Sequence, residues 1–123
     1  MNYSRPKNLN LFTIRFPLPA IISILHRISG FVLFLLIPLM LWALDFSLNE
    51  SGFISLQEGF KSFCAKCFLW ILLLPLCYHF IAGIRHLLSD IHIGNSRKGG
   101  KNAALITLIT FILLVLLTGI WLW

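Results

Sequence analysis

The sequence predicts an all-α membrane protein with three transmembrane helices. Three apolar runs each exceed the roughly 20 residues that a helix rising 1.5 Å per residue needs to cross a bilayer. Two short segments between them collect most of the remaining charged and turn-forming residues. The whole 123-residue chain is 59% hydrophobic and only 11% charged, too little charge to cover a soluble domain of that size. Its net charge of +6 suits loops lying against an anionic membrane face. Basic and aromatic residues do not interleave in any polar segment, so no nucleic-acid partner is expected.

Residues 1–20 are polar to amphipathic and punctuated by Pro6, Pro17 and Pro19. They read as an inner-face N-terminal segment ahead of a single three-helix domain over 21–123. No small-residue cleavage site follows, and no long Arg- and Ser-rich stretch, so neither a secretory signal nor a transit peptide is expected. The first span runs from about Ile21 to Leu48. Its uninterrupted apolar core, Phe31 to Leu44, contains Pro38, which should kink the helix and free a carbonyl. Residues 49–62 read as a loop, where Ser55-Leu-Gln-Glu58 has the form of a capping box and would start a short interfacial turn. The second span, about Phe63 to Leu88, carries Pro75. Residues 89–102 read as a polar loop. The third span, about Ala103 to Trp123, has no charge and three threonines.

Orientation follows from the basic residues. Arg5, Lys7, Arg15, Arg27, Arg85, Arg97, Lys98 and Lys101 fall on one side of three spans, and Lys61 and Lys66 on the other, beside Asp45, Glu50 and Glu58. The positive-inside rule places the N-terminus on the cytoplasmic (or matrix) side. Trp42, Trp70, Trp121 and Trp123 then map to the opposite interface as an aromatic belt.

Two spans carry ionisable residues that a membrane helix rarely tolerates. Such a group costs roughly 2.5–3.5 kcal/mol at a helix centre on insertion scales and usually faces a bundle interior or a site. Ser23, His26, Arg27 and Gly30 follow an i, i+3, i+4, i+7 spacing, and His79, Gly83, His86 and Asp90 an i, i+4, i+7, i+11 spacing. Each set reads as a stripe on one helix face, toward the inner side. His79 lies six residues before Arg85, roughly 9 Å deeper along a helix. It reads either as an axial ligand to haem iron or as a hydrogen-bonder to a neighbouring helix. Gly83 would let a flat macrocycle approach the backbone, and Arg85 and His86 lie where propionates would meet them. Arg27 reads either as snorkelling to headgroups or, with Ser23 one turn before it, as a hydrogen-bonding pair for a quinone carbonyl. One chain offers one deep axial ligand, so a second would come from a partner subunit. No flavin fingerprint, iron–sulfur cysteine cluster or nucleotide loop is present, so the electron source is also expected on another subunit.

These residues resemble a known family. Arg5-Pro6, Asn8-Leu-Asn-Leu-Phe-Thr-Ile-Arg-Phe-Pro17 and Ser23-Ile-Leu-His-Arg-Ile-Ser-Gly30 are similar to the start of the cytochrome b large membrane-anchor subunits of succinate dehydrogenase, respiratory complex II. Tyr78-His79 followed by Gly83-Ile-Arg-His86 and Asp90 resembles the second signature of that family. The resemblance implies that His79 is the axial haem b ligand, opposite a histidine of the small membrane-anchor subunit. It implies that Ser23 and Arg27 line a ubiquinone pocket at the iron–sulfur subunit, and that His26, Arg27 and His86 lie near the haem propionates. It also implies a flavoprotein subunit that oxidises succinate, and a place in the inner membrane of a bacterial cell, or of a mitochondrion for an organelle-encoded chain. The chain itself would carry no dehydrogenase chemistry. An anchor subunit of a fumarate reductase and a haem-free structural anchor are the alternatives.

Cys64-Ala-Lys-Cys67 has the form C-x-x-C, but it lacks the further ligands of a zinc site and the βαβ setting of a redox motif. It reads as small apolar filler at a helix start, and Cys77 as packing. Cys64→Ser should therefore leave complex assembly and quinone reduction at the wild-type level, as measured on purified membranes.

Overall fold

The computed structural model describes residues 16–94 and 96–123, with Arg97 described by its backbone alone. Much of the expected inner-face segment, including Arg5, Lys7 and Arg15, lies outside the described residues. The described chain is helical, in the order α1 (Leu18–Ser47), α2 (Glu50–Gly59), α3 (Phe63–Asp90) and α4 (Arg97–Leu122), with no strand among the described residues. Three of these, α1, α3 and Lys98–Leu122 of α4, are long and apolar enough to cross a membrane. Each of the three packs against the other two, and α2 folds back on α1.

The helix starts follow local chemistry rather than hydropathy. Pro17 has extended backbone (φ −66°, ψ 149°) and Pro19 sits in the first turn of α1, where a missing N–H costs nothing. That starts the helix at Leu18 instead of Ile21. Residues 49–62, expected as a loop, are largely the helix α2, which begins at Glu50 after Asn49. Glu50 in its first turn complements the helix dipole. The expected capping box is not formed. Ser55 lies within α2 and donates to the Ser51 carbonyl at 2.8 Å. Ser62 caps α3 instead, accepting from the Ala65 N–H at 3.3 Å.

Helix α4 begins at Arg97, within the expected polar loop, and not at Ala103. The Ser96 hydroxyl accepts from the Gly99 N–H at 2.9 Å and satisfies one of the unpaired N-terminal donors. Gly99 must be glycine here. A Cβ would stand 2.8 Å from the cap oxygen and 2.9 Å from the Gly94 carbonyl. The end of α3 is a Schellman motif, with Ile93 N–H on the Leu88 carbonyl at 3.0 Å and His92 N–H on the Ser89 carbonyl at 3.0 Å. The C′ residue is His92 at φ 65°, the left-handed region usually given to glycine or asparagine. Helices α1 and α3 both continue through Pro38 and Pro75.

The core is small and sits toward one end of the bundle. Ile22 of α1, Tyr78 and Ala82 of α3 and Ala104 of α4 form it, with Leu18, Leu108 and Phe111 packed around. Two alanines at the crossing let the backbones approach closely, the usual device for helix association in lipid. Tyr78 meets Phe111 edge-on at 5.2 Å and donates its hydroxyl proton to the Ile22 carbonyl at 3.0 Å. The far end is held by Trp70, whose indole N–H donates to the Val115 carbonyl at 3.1 Å and whose ring meets Trp123 edge-on at 6.2 Å. Most other large apolar side chains are exposed, as a surface for lipid and partner helices requires.

Ala104 is fully buried in this core. Ala104→Leu should lower stability by about 1–3 kcal/mol through overpacking, read as a lower midpoint of thermal unfolding in detergent.

Candidate functional site

The site lies in the seam between α1 and α3. Adjacent residues on α3 reach successive carbonyls one turn apart on α1: Tyr78 the Ile22 carbonyl, and His79 the His26 carbonyl at 3.2 Å from Nδ1. The Ser29 hydroxyl donates to that same His26 carbonyl at 2.8 Å, and its oxygen stands 3.1 Å from Nδ1 of His79. A carbonyl oxygen can only accept, so this network places the ring proton of His79 on Nδ1. The Nε2 lone pair of a neutral imidazole is then free, and among the described residues it accepts no hydrogen bond.

Close approach of the helices makes this possible. A Cβ at Gly30 would stand 2.9 Å from Cε1 of His79, so any side chain there would displace the ring. The His26 and His79 rings stack at 4.2 Å with an interplanar angle of 14°. The His86 ring lies 4.9 Å from His26, tilted by 39°. On α3, a Cβ at Gly83 would meet only Nε2 of His26, at 3.5 Å. That nitrogen is buried and has no hydrogen-bond partner. In an apolar seam such an atom is costly unless something satisfies it. The three imidazoles do not converge as a polyligand metal-ion site, among the described residues.

The two sequence stripes are thus only partly brought together. His26, Gly30, His79, Gly83 and His86 meet in the seam. Ser23 is half-buried and Arg27 exposed, and at 100° per residue Arg27 is rotated away from the α3-facing line of Ile22, His26 and Ser29. Asp90 is exposed. Ser29, which carries two of the contacts to His26 and His79, had no role in the sequence reading. Its spacing from Ile22 and His26, i+7 and i+3, is the signal that places it on the inward line.

Arg85 is half-buried, with Nε fully enclosed and unpaired. It lines a cavity of about 610 Å³ at the end of the bundle, between the start of α1, the end of α3 and the start of α4, together with Ser89 and Lys101. Neither Ser23 nor Arg27 lines this cavity. Cys64, Cys67 and Cys77 are all free thiols, exposed, half-buried and buried in that order.

Residues 1–118 match the family model described as the succinate dehydrogenase/fumarate reductase transmembrane subunit. A succinate dehydrogenase cytochrome b556 subunit of Coxiella burnetii is 39% identical across the full length of both chains. The cytochrome b556 subunit of Rickettsia prowazekii is 31% identical over 92% of this chain and 89% of its own. The cytochrome b560 subunit of Reclinomonas americana is 35% identical over 73% of this chain and 67% of its own. With its three candidate spans and a match that runs through both polar stripes, this chain belongs to the succinate dehydrogenase/fumarate reductase transmembrane subunit family, among the succinate dehydrogenase cytochrome b subunits.

Proposed function

We propose that the chain anchors a succinate dehydrogenase in the inner membrane, supplies His79 as one axial ligand to a haem b, and contributes Ser23 and Arg27 to its ubiquinone site. The observation that carries the haem reading is the state of His79. Its Nδ1 proton is engaged by α1, which leaves the Nε2 lone pair for iron.

The surroundings fit the group. Gly30 and Gly83 keep side chains out of the seam, and the buried, unpaired Nε2 of His26 offers a position where a propionate carboxylate would be satisfied. His86, next to His26, adds a second imidazole for that carboxylate, and Arg27 its charge on the same turn of α1. A histidine of the small membrane-anchor subunit would complete the coordination of the iron. Haem b, when bound, would supply a one-electron redox centre.

Ser23, half-buried, and Arg27, exposed, stand one turn apart on α1, where the iron–sulfur subunit would close a pocket over them. There the Ser23 hydroxyl and the Arg27 guanidinium hydrogen-bond a quinone carbonyl oxygen, and Arg27 stabilises the negative charge that grows on it during reduction. The flavoprotein subunit oxidises succinate to fumarate and the iron–sulfur subunit carries the electrons. Two electrons and two protons convert the quinone to quinol. In this arrangement the N-terminus faces the cytoplasm or matrix, where the soluble subunits dock. The family description also covers fumarate reductases, which is what favours an anchor of that enzyme as a second reading. The named relatives support the succinate enzyme.

His79→Leu should abolish the reduced-minus-oxidised b-type signal of the purified complex while the partner subunits stay bound. An unchanged haem stoichiometry would rule out the ligand role. Ser23→Ala and Arg27→Leu should slow succinate–ubiquinone reduction at least tenfold, with succinate oxidation by an artificial acceptor retained. Equal loss in both assays would instead indicate failed assembly and argue against the quinone site.

A further inference from the structure

One side chain in the seam has a geometry that the ligand role alone does not require. Ser29 is 6% exposed, and its hydroxyl lies between the two helices. It donates its proton to the His26 carbonyl at 2.8 Å, so its oxygen meets Nδ1 of His79 as an acceptor, at 3.1 Å. The His26 carbonyl is the other acceptor, at 3.2 Å. That carbonyl is crowded. Within an α-helix it also takes the main-chain N–H four residues on, so three donors converge on two lone pairs. The Ser29 oxygen is the acceptor with capacity to spare.

We propose that Ser29 is a positioning residue for the haem ligand. Its oxygen holds the His79 proton on Nδ1, fixes the rotation of the ring, and leaves Nε2 as the coordinating atom. This rests on the proposed ligand role of His79. An acceptor on the distal nitrogen of a ligating imidazole fixes its tautomer and raises its basicity, and loss of such a partner typically weakens metal affinity by 10–100-fold. A more basic ligand stabilises ferric over ferrous iron. Removing the acceptor should therefore move the haem midpoint potential in the positive direction. The close packing of Gly30 on Cε1 of His79 restricts the ring sterically but cannot choose between its two tautomers. The His26 carbonyl and the Ser29 hydroxyl bonded to it make that choice together, the hydroxyl being held as an acceptor because its own proton goes to the carbonyl.

The test compares Ser29→Ala, Ser29→Cys and Ser29→Thr in the assembled, membrane-purified complex. It reads haem per complex, the midpoint potential by redox titration, and the low-temperature EPR spectrum of the ferric haem. Ser29→Ala and Ser29→Cys, which remove the oxygen acceptor, should both raise the potential, shift the low-spin EPR signal and lower haem retention. Ser29→Thr, which keeps the hydroxyl, should return all three to wild type. Potential and EPR signal unchanged in Ser29→Ala or Ser29→Cys would overturn the proposal. So would Ser29→Thr shifting as far as Ser29→Ala, since the effect would then be one of packing. If Ser29→Ala does not assemble, Ser29→Cys against Ser29→Thr decides alone. Failure of the ligand reading itself is distinguished by His79→Leu, which would then keep its b-type signal.

Discussion

Everything at the polar end of this bundle depends on one seam, where Tyr78 and His79 of α3 reach the Ile22 and His26 carbonyls of α1. In lipid, no water competes for these groups, so a polar side chain on a span must find its partner on its own helix or on a neighbouring one, and Tyr78 and His79 find theirs across the seam. Two adjacent residues doing so on consecutive turns fix the height of α3 against α1 and the rotation of both. Gly30 makes the contact sterically possible, and the alanines at 82 and 104 let α4 close over it. Hydrophobic burial has a smaller part, since apolar side chains are as well solvated by lipid tails as by each other.

The same seam explains why the molecule is incomplete by itself. Its core holds few side chains, and broad apolar faces of all three spans remain open. It carries a histidine with a free Nε2 and another whose buried Nε2 has no partner. A soluble protein would not retain such groups in an apolar seam without satisfying them. A transmembrane subunit of a larger complex, and one that binds the proposed haem, has a physical reason to. Membership of a family of transmembrane enzyme subunits and an unfinished polar seam are two views of one design.

Much of the fold was legible in the chain. Long apolar runs give the spans and their order, because the length a bilayer demands leaves little choice. Helix starts were less legible. Ser96 and the Pro17–Pro19 pair extend helices into sequence that hydropathy assigns to flanking segments, the first through a side-chain cap worth only about 0.5–2 kcal/mol, the second through proline's fixed φ in the first turn. Helix α2 is short and weakly apolar, and it is supported by packing back on α1, a contact no local pattern reveals. At the site, His26, His79 and His86 stood out as ionisable residues in apolar surroundings. Ser29 did not, because a serine on a membrane helix is unremarkable until its neighbours are known.

The sequence by itself determined the class of molecule, the three spans and the ionisable residues that stand out within them, since each of these follows from transfer free energies and helical spacing. The tertiary structure decided which of those residues meet. It divided a single stripe, setting His26 and Gly30 against His79 of α3 and leaving Arg27 exposed. It also decided which nitrogen of His79 bears the proton. Both outcomes depend on the rotation of α1 against α3, which is set by the fit of Gly30 to one imidazole and by two hydrogen bonds between helices about 50 residues apart in sequence.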